Sequence, residues 1–252
     1  MEVERVSVRY LILSDIHSNW EALQAVLARA EGGYDQVACC GDLIGYGPDP
    51  NLVVDWVRQN VSSVIRGNHE KAAAGLESLE WFNPIARAAA LWTMKELTPE
   101  NRDYVRQLRK GPLSLDRFQL VHGSPLDEDE YLIAASSAAN AFPYVESELT
   151  FFGHTHLQGG FVWSANRMLM IPRPKVREEM AFPLSPDVLY LINPGSVGQP
   201  RDGDWRSAYV VYDDANQLVT YYRQPYDVDA VKVKIRRAGL PDALAERLGT
   251  GH

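Results

Sequence analysis

Apolar and polar positions alternate along this chain in short, sharply bounded blocks. Tyr10–Ser14 (YLILS) is an apolar run closed by Asp15-Ile16-His17-Ser18-Asn19, the pattern of a short buried strand. Trp20, Leu23, Val26 and Leu27 then recur at helical spacing over Trp20–Ala30, with Ser18 or Asn19 placed to cap the helix and Gly32-Gly33 to stop it. Gln36–Cys40 predicts the next strand, ended by Gly41-Asp42. Leu43–Pro50 reads as a loop, Asn51–Gln59 as a helix, and Ser63–Arg66 as a third strand running into a loop, Gly67-Asn68-His69-Glu70. Asp42 follows Asp15 by 27 residues, and Asn68 follows Asp42 by 26. This is the spacing of βαβαβ units, which build a parallel sheet and collect ligand groups at the carboxyl ends of its strands. Asp15, Asp42 and Asn68 are thereby expected at one edge.

Beyond this point the pattern changes. Two amphipathic helices are predicted over Asn83–Leu97 and Pro99–Leu108, then a hairpin from Leu113–Leu115 to Phe118–Val121 that ends in His122-Gly123. Ser124–Thr150 is mixed, with an acidic cluster at Asp127–Glu130 and a small-residue helix near Ser136–Ala141, and reads as a cap-like segment. Leu149–Phe152 predicts a strand ending in Gly153-His154-Thr155-His156, and Gly160–Trp163 and Met168–Ile171 two further β pieces. Pro172–Pro186 holds four prolines and reads as an irregular excursion. Val188–Ile192 is the next strand, before the loop Asn193–Asp204. Ala208–Tyr212 and Leu218–Arg223 form a hairpin, and Asp227–Arg237 and Pro241–Leu248 terminal helices. The later strands point to a second sheet packed on the first. With neither an internal repeat nor a clear linker, the 252 residues read as one domain with a motif core over residues 10–223 and C-terminal helices within 227–248.

Composition narrows the classes. Hydrophobic residues make up 46% and charged residues 23%, which excludes disordered and low-complexity chains. The formal net charge is −8, so a global electrostatic hold on nucleic acid is not expected. No apolar run reaches the roughly 20 residues of a membrane helix, and the N-terminal residues do not have the form of a signal peptide. The two cysteines, Cys39 and Cys40, are adjacent on one strand, which suits small core side chains and a cytoplasmic location better than a disulfide.

The histidines carry the chemistry. Five of the six (His17, His69, His122, His154 and His156) sit beside Asp, Gly, Asn or each other at the ends of predicted strands. Carboxylate and amide oxygens suit hard divalent ions and imidazoles suit borderline transition metals, so Asp, Asn and His without Cys favour Mn²⁺, Fe or Zn²⁺. Two ions about 3.5–4 Å apart can clamp an in-line displacement at phosphorus.

In their order, Asp15-x-His17, Gly41-Asp42, Gly67-Asn68-His69-Glu70, His122-Gly123 and Gly153-His154-Thr155-His156 resemble the five motifs of the calcineurin-like metallophosphoesterase superfamily, and Gly41–Asn51, Val121–Pro125 and Asn193–Gly203 have the look of its small bacterial and archaeal branch. The resemblance implies an α/β fold, a four-layer α/β/β/α sandwich of two mixed sheets flanked by helices. It implies two divalent ions, Mn²⁺ first, one held by Asp15, His17, Asp42 and His156 and the other by Asp42, Asn68, His122 and His154, with Asp42 as the bridge. His69 matches the family's non-ligand histidine that touches the scissile phosphate and protonates the leaving oxygen. The implied activity is hydrolysis of small phosphodiesters, nucleotide polyphosphates or phosphomonoesters by a metal-bridging hydroxide. Asp42 and His69 are then the catalytic residues, and Asn68, His69, Arg201 and Tyr46 the substrate contacts. Arg66–Glu70 also resembles a Ser/Thr protein phosphatase, but Leu43-Ile44-Gly45 stands where that branch carries Asp-Arg-Gly and Ser14 where it carries Gly. A non-catalytic metal-stabilised scaffold is a third reading, opposed by the complete ligand set. Arg201 suits either a surface ion pair or a bidentate grip on phosphate. Tyr46 and Tyr131 suit either stacking on a ring or plain surface positions. Asp127–Glu130 reads as a solvated loop face, or as a rim that tunes substrate. The expected partner is a small phosphate ester, a nucleotide among the candidates, and a dimer is conceivable.

Overall fold

Strand β1 (Arg9–Leu13) shows how the layers arise, because its alternate side chains serve different cores. Leu11 and Leu13 pack against helices, whereas Ile12 points into the space between two sheets. The computed structural model describes residues 7–172 and 178–252. After β1 come α1 (Trp20–Ala30), β2 (Gln36–Cys39), α2 (Pro50–Asn60), β3 (Ser63–Val64), α3 (Asn68–Ala73), α4 (Pro84–Glu96) and α5 (Pro99–Gln107). Strands β4 (Leu113–Ser114) and β5 (Gln119–Leu120) lead to α6 (Ala135–Ala141), β6 (Leu149–Phe151), β7 (Gly159–Ser164), β8 (Arg167–Ile171) and β9 (Glu179–Pro183). The chain closes with β10 (Leu189–Asn193), β11 (Ser207–Asp213), β12 (Leu218–Gln224), α7 (Val228–Arg237) and α8 (Asp242–Leu248).

The strands form two mixed sheets of six, in the orders β3-β2-β1-β11-β12-β9 and β4-β5-β6-β10-β7-β8. Ile12, Cys40, Val210 and Tyr221 of the first meet Phe118, Leu120, Phe151 and Ile192 of the second in the central core, where the Tyr10, Phe118 and Phe151 rings contact edge to face. Helices α1, α2, α4, α5, α7 and α8 cover the outer face of the first sheet, and α6 covers part of the second, over Phe152, Phe161 and Leu191. This is the expected four-layer α/β/β/α sandwich. Cys39 and Cys40 are both free and buried, one facing the helices and the other the second sheet, as small core side chains.

Three sequence expectations need correction. Residues 179–183, placed in an irregular excursion, form strand β9, which pairs with β12 from Glu179 against Tyr222 to Pro183 against Leu218. Met180 and Phe182 alternate inward onto the central core, and an edge strand tolerates a terminal proline because the ladder needs no N–H there. Residues 173–177 of that segment lie outside the described residues. Asn68-His69-Glu70, read as loop, is the first turn of α3, because Glu70 at its third position accepts the Gly67 N–H at 2.8 Å and so caps the helix. Asp127–Glu130 is not a uniformly solvated face: Glu128 is buried, with both its carboxylate oxygens 3.1 Å from the Arg66 guanidinium.

Candidate metal centre

Strands β1, β2 and β3 run parallel in one sheet and β5, β6 and β10 in the other. The loops leaving their carboxyl ends meet in one place. Backbone bonds lace them together: Asp15 N–H donates to Gly41 O at 3.0 Å, His17 N–H to Asp42 O at 3.0 Å, Gly153 N–H to His122 O at 2.8 Å and Gly198 N–H to Asp15 O at 3.0 Å. The turns are tight enough to force left-handed backbone on side-chain-bearing residues. Asp15, His17, Ser18, Asp42, Tyr46, His154 and His156 all have φ between 49° and 65°. Each such residue carries a conformational cost of order 1–3 kcal/mol, which persists only where surrounding contacts impose it, and such residues cluster at functional sites.

One donor atom each from Asp15, His17, Asp42 and His156, all buried, lies within 4.8 Å of the others, and so does one each from Asp42, His122 and His154. Asp42 belongs to both groups. Its Oδ2 is 3.7 Å from His17 Nε2 and 3.5 Å from His122 Nε2, while its Oδ1 accepts the His69 N–H at 3.0 Å. Asn68 joins the second group, with Oδ1 3.3 Å from His122 Nε2. The seven residues expected from sequence as ligands are thus brought together.

Hydrogen bonds set the direction of each ring. Nδ1 of His17 donates to Ile44 O at 2.9 Å, Nδ1 of His122 to Cys40 O at 2.8 Å, and Nδ1 of His156 to Gln199 O at 2.6 Å. Each therefore presents Nε2 to the cluster. His154 is reversed: its Nε2 donates to Asp129 O at 3.1 Å, which leaves Nδ1 as its donor atom. His17 Nε2 and His156 Nε2 stand 3.0 Å apart with both Nδ1 protons already spent. Two facing lone pairs at that distance repel unless a cation or a proton lies between them. Asp15 Oδ2, also buried, has no hydrogen-bond partner. A nitrogen and oxygen donor set without thiolate, with lone pairs left over, fits divalent cations.

The electrostatics agree for three of the four ligand imidazoles; against the downward pull of burial, the Asp42 carboxylate raises the fourth, His122, to about 10, so a cation there would have to displace its proton. Burial holds His17 and His156 well below the ordinary imidazole pKa and His154 down to about 3, so all three are neutral, ligand-competent imidazoles at pH 7. Against the upward pull of burial, His122 foremost holds Asp42 well below the usual carboxylate range. Burial pushes Asp15 up to about 7, with Asp42 adding to the rise.

His69, Tyr46 and Arg201 border the cluster. The His69 ring centroid is 4.8 Å from that of His17, 4.4 Å from that of Tyr46 and 5.6 Å from that of Phe82. Burial lowers its pKa to about 4, below the near-neutral value a free imidazole would offer, and its Nδ1 is buried without a partner. Gly45, at φ 88°, lies under this ring, and a Cβ there would come within 2.9 Å of His69 Cγ and Cε1. Arg201 bonds Tyr46 Oη at 3.4 Å and Gln199 Oε1 at 3.1 Å, while its buried Nε is unpartnered. A cleft of about 250 Å³ opens beside the cluster, with Asn68, His154, Tyr46 and Tyr131 on its walls.

Glu70, Asp129 and Gln199 carry roles that sequence reasoning did not assign. The fully buried Glu70 carboxylate accepts N–H groups from Asp42 at 2.8 Å, Gly67 at 2.8 Å and Ile44 at 3.1 Å, and so ties the Asp42 loop to α3. Its place three residues after Gly67 was the available signal, since a carboxylate there caps a helix. The other two act through backbone carbonyls, which no side-chain motif reveals.

Comparison with known proteins agrees with this geometry. An uncharacterized protein of Methanocaldococcus jannaschii is 37% identical over 250 residues, covering 95% of this chain and 97% of its own. The crystal structure of a metallophosphoesterase from Sphaerobacter thermophilus is also 37% identical, covers 98% of this chain and 100% of its own, and superposes with a TM-score of 0.85. A hypothetical protein of Pyrococcus horikoshii shares the fold at 19% identity, with a TM-score of 0.77 and coverage of 97% and 99%. The family model of the calcineurin-like phosphoesterase superfamily domain matches residues 8–216, a span that holds both donor groups, and this chain belongs to that superfamily.

Proposed function

We propose that this protein is a phosphoesterase that works with two divalent cations, Mn²⁺ foremost, on small phosphate esters in the cytoplasm. Asp15, His17, Asp42 and His156 would hold one cation and Asp42, Asn68, His122 and His154 the other, Asp42 being shared. When bound, such a pair supplies Lewis acidity toward the phosphoryl oxygens and a water acidic enough to act as a nucleophile near neutral pH. The observation that carries the reading is the facing of His17 Nε2 and His156 Nε2 at 3.0 Å with both Nδ1 protons committed to carbonyls.

The remaining groups take their parts from their places. Arg201, with a buried and unpartnered Nε, offers a charge-assisted contact to a phosphate oxygen, and its Tyr46 partner keeps the guanidinium beside the cluster. Asn68 lies on the cleft wall and serves both the second cation and the substrate. Because His69 is held neutral at pH 7, it acts as a hydrogen-bond donor that stabilises the charge growing on the leaving oxygen, and the proton that oxygen finally takes comes from solvent. The buried setting strengthens each of these contacts.

The test is hydrolysis of bis(p-nitrophenyl) phosphate and p-nitrophenyl phosphate by chelator-treated protein before and after Mn²⁺ is added, with Asp42→Asn alongside. Activity that appears with Mn²⁺ and is lost in the variant supports the proposal. Mn²⁺ binding without turnover of either ester would remove the catalytic reading.

A further inference from the structure

The cleft beside the metal-ligating cluster has a composition of its own. Three aromatic rings border it: Tyr46, Phe82 and Tyr131. Tyr131 is about half exposed (48%), although its ring centroid lies only 3.9 Å from that of His154. Phe82 stands at the other wall, edge-on to His69. An exposed, fixed aromatic ring at the mouth of a polar site is a stacking platform that awaits a partner.

Charge in the cleft has one sign. Glu77 and Asp129 contribute to its lining, and among the described residues no lysine or arginine does. The nearest ammonium, Lys71, is taken up by Asp129, by Glu77 at 3.3 Å and by Glu128 at 3.4 Å. Arg201, bonded to Tyr46 and Gln199 and near enough to Tyr131 to act on its hydroxyl, is not itself among the lining residues. It can serve a phosphoryl group at the cluster; Arg247, which donates to the same Gln199 Oε1 at 3.3 Å, lies on that side too, and among the described residues no lysine or arginine lines the cleft itself to receive a second anion. The acidic rim penalises such an anion instead. At about 250 Å³ the cleft holds a single ring system and little more.

We propose that this cleft selects phosphate esters whose organic group is a neutral, flat ring and discriminates against those carrying a second anionic group. The inference rests on the phosphoesterase reading above and narrows it, placing nucleotide polyphosphates below aryl and nucleoside esters of a single phosphate.

Non-hydrolysable phosphonates test it without turnover. Methylphosphonate, phenylphosphonate and 4-carboxyphenylphosphonate are titrated calorimetrically into the Mn²⁺-loaded protein, and phenyl phosphate hydrolysis is followed in parallel. Phenylphosphonate should bind roughly tenfold tighter than methylphosphonate, as one stacked ring warrants. The added carboxylate should cost about fivefold or more. Tyr131→Ala should remove most of the phenyl advantage, and Glu77→Gln should restore part of the loss caused by the carboxylate. Equal binding of the methyl and phenyl compounds, binding of the carboxyphenyl compound as tight as phenyl, or no phosphonate binding overturns the proposal. If the phosphonates follow the expected order but phenyl phosphate is not hydrolysed, the ring selectivity stands and the hydrolase reading falls. If phenyl phosphate is hydrolysed and the order is absent, the reverse holds.

Discussion

Replacing Gly45 with alanine separates chemistry from metal binding. Gly45 has φ 88°, and a Cβ there would lie within 2.9 Å of His69 Cγ and Cε1 and nearer still to Nδ1. A side chain in left-handed backbone costs roughly 1–2 kcal/mol. The imidazole must also retreat by a good fraction of an ångström among Tyr46, Phe82 and His17, an overpacking of about 1–3 kcal/mol. A total of about 2–5 kcal/mol is compatible with a folded protein, because displacement of His69 relieves part of it. A misplacement of about 1 Å in a group that acts on the leaving oxygen costs on the order of 100-fold in rate. His69 belongs to neither donor group, so cation binding should survive. The assay pairs kcat on p-nitrophenyl phosphate with Mn²⁺ stoichiometry by calorimetry, for Gly45→Ala and His69→Ala. Both variants should bind cations as wild type does and lose rate by similar factors. If Gly45→Ala kept kcat within about twofold of wild type while His69→Ala lost it, the packing argument would be refuted. If Gly45→Ala lost its cations, the separation of His69 from the ligand set would be wrong.

Glu70→Gln preserves shape but cannot accept from Asp42, Gly67 and Ile44 together, since its amide turns a donor toward at least one of them. A buried N–H left unpaired costs about 1–3 kcal/mol, and cation affinity should fall about 10–100-fold; calorimetric titration showing unchanged affinity would contradict the assignment. Chelation should lower the melting temperature, and saturating Mn²⁺ should raise it, since each site filled at 100 times its Kd adds about 2.7 kcal/mol; identical melting curves would count against preformed sites. In the chelated protein, burial depresses His17, His156, His69 (to about 4) and His154 (to about 3), whereas it raises Asp15 and Glu70, each to about 7. From pH 6.5 down toward 4 the unfolded chain takes up protons on four histidines, and toward the acid end on Asp42, that the folded chain refuses, against two carboxyls and His122, raised to about 10 by Asp42, that keep theirs in the folded state. Stability of the chelated protein should therefore decline as pH falls through that window, and a melting temperature that stays level or rises from pH 6.5 to 4.5 would contradict this.

Much of the site was legible in the sequence because short parallel strands leave their functional residues in the loops that follow them. Asp15, Asp42 and Asn68 could be placed at one edge from the βαβαβ period alone, whereas the two later histidine motifs, although they follow strands, joined the site only through the resemblance to the superfamily's motifs. What could not be read depends on the backbone. His154 presents Nδ1 because Asp129 O occupies its Nε2, a contact that no side-chain motif encodes. The acidic run around Asp129 resembled a solvated face because ion pairs with Arg66 and Lys71, about 60 residues earlier, leave no local pattern. Strand β9 was hidden by its surrounding prolines, since Met180 and Phe182 supply too few alternations to outweigh them.

The central claim is that two cations share Asp42. Its most direct test is Mn²⁺ content after equilibrium dialysis, measured by elemental analysis on wild type and Asp42→Asn. Two ions per chain are expected in the wild type and no more than one in the variant. A wild-type protein that holds one ion or none at saturating Mn²⁺, or a variant that retains both, would contradict it.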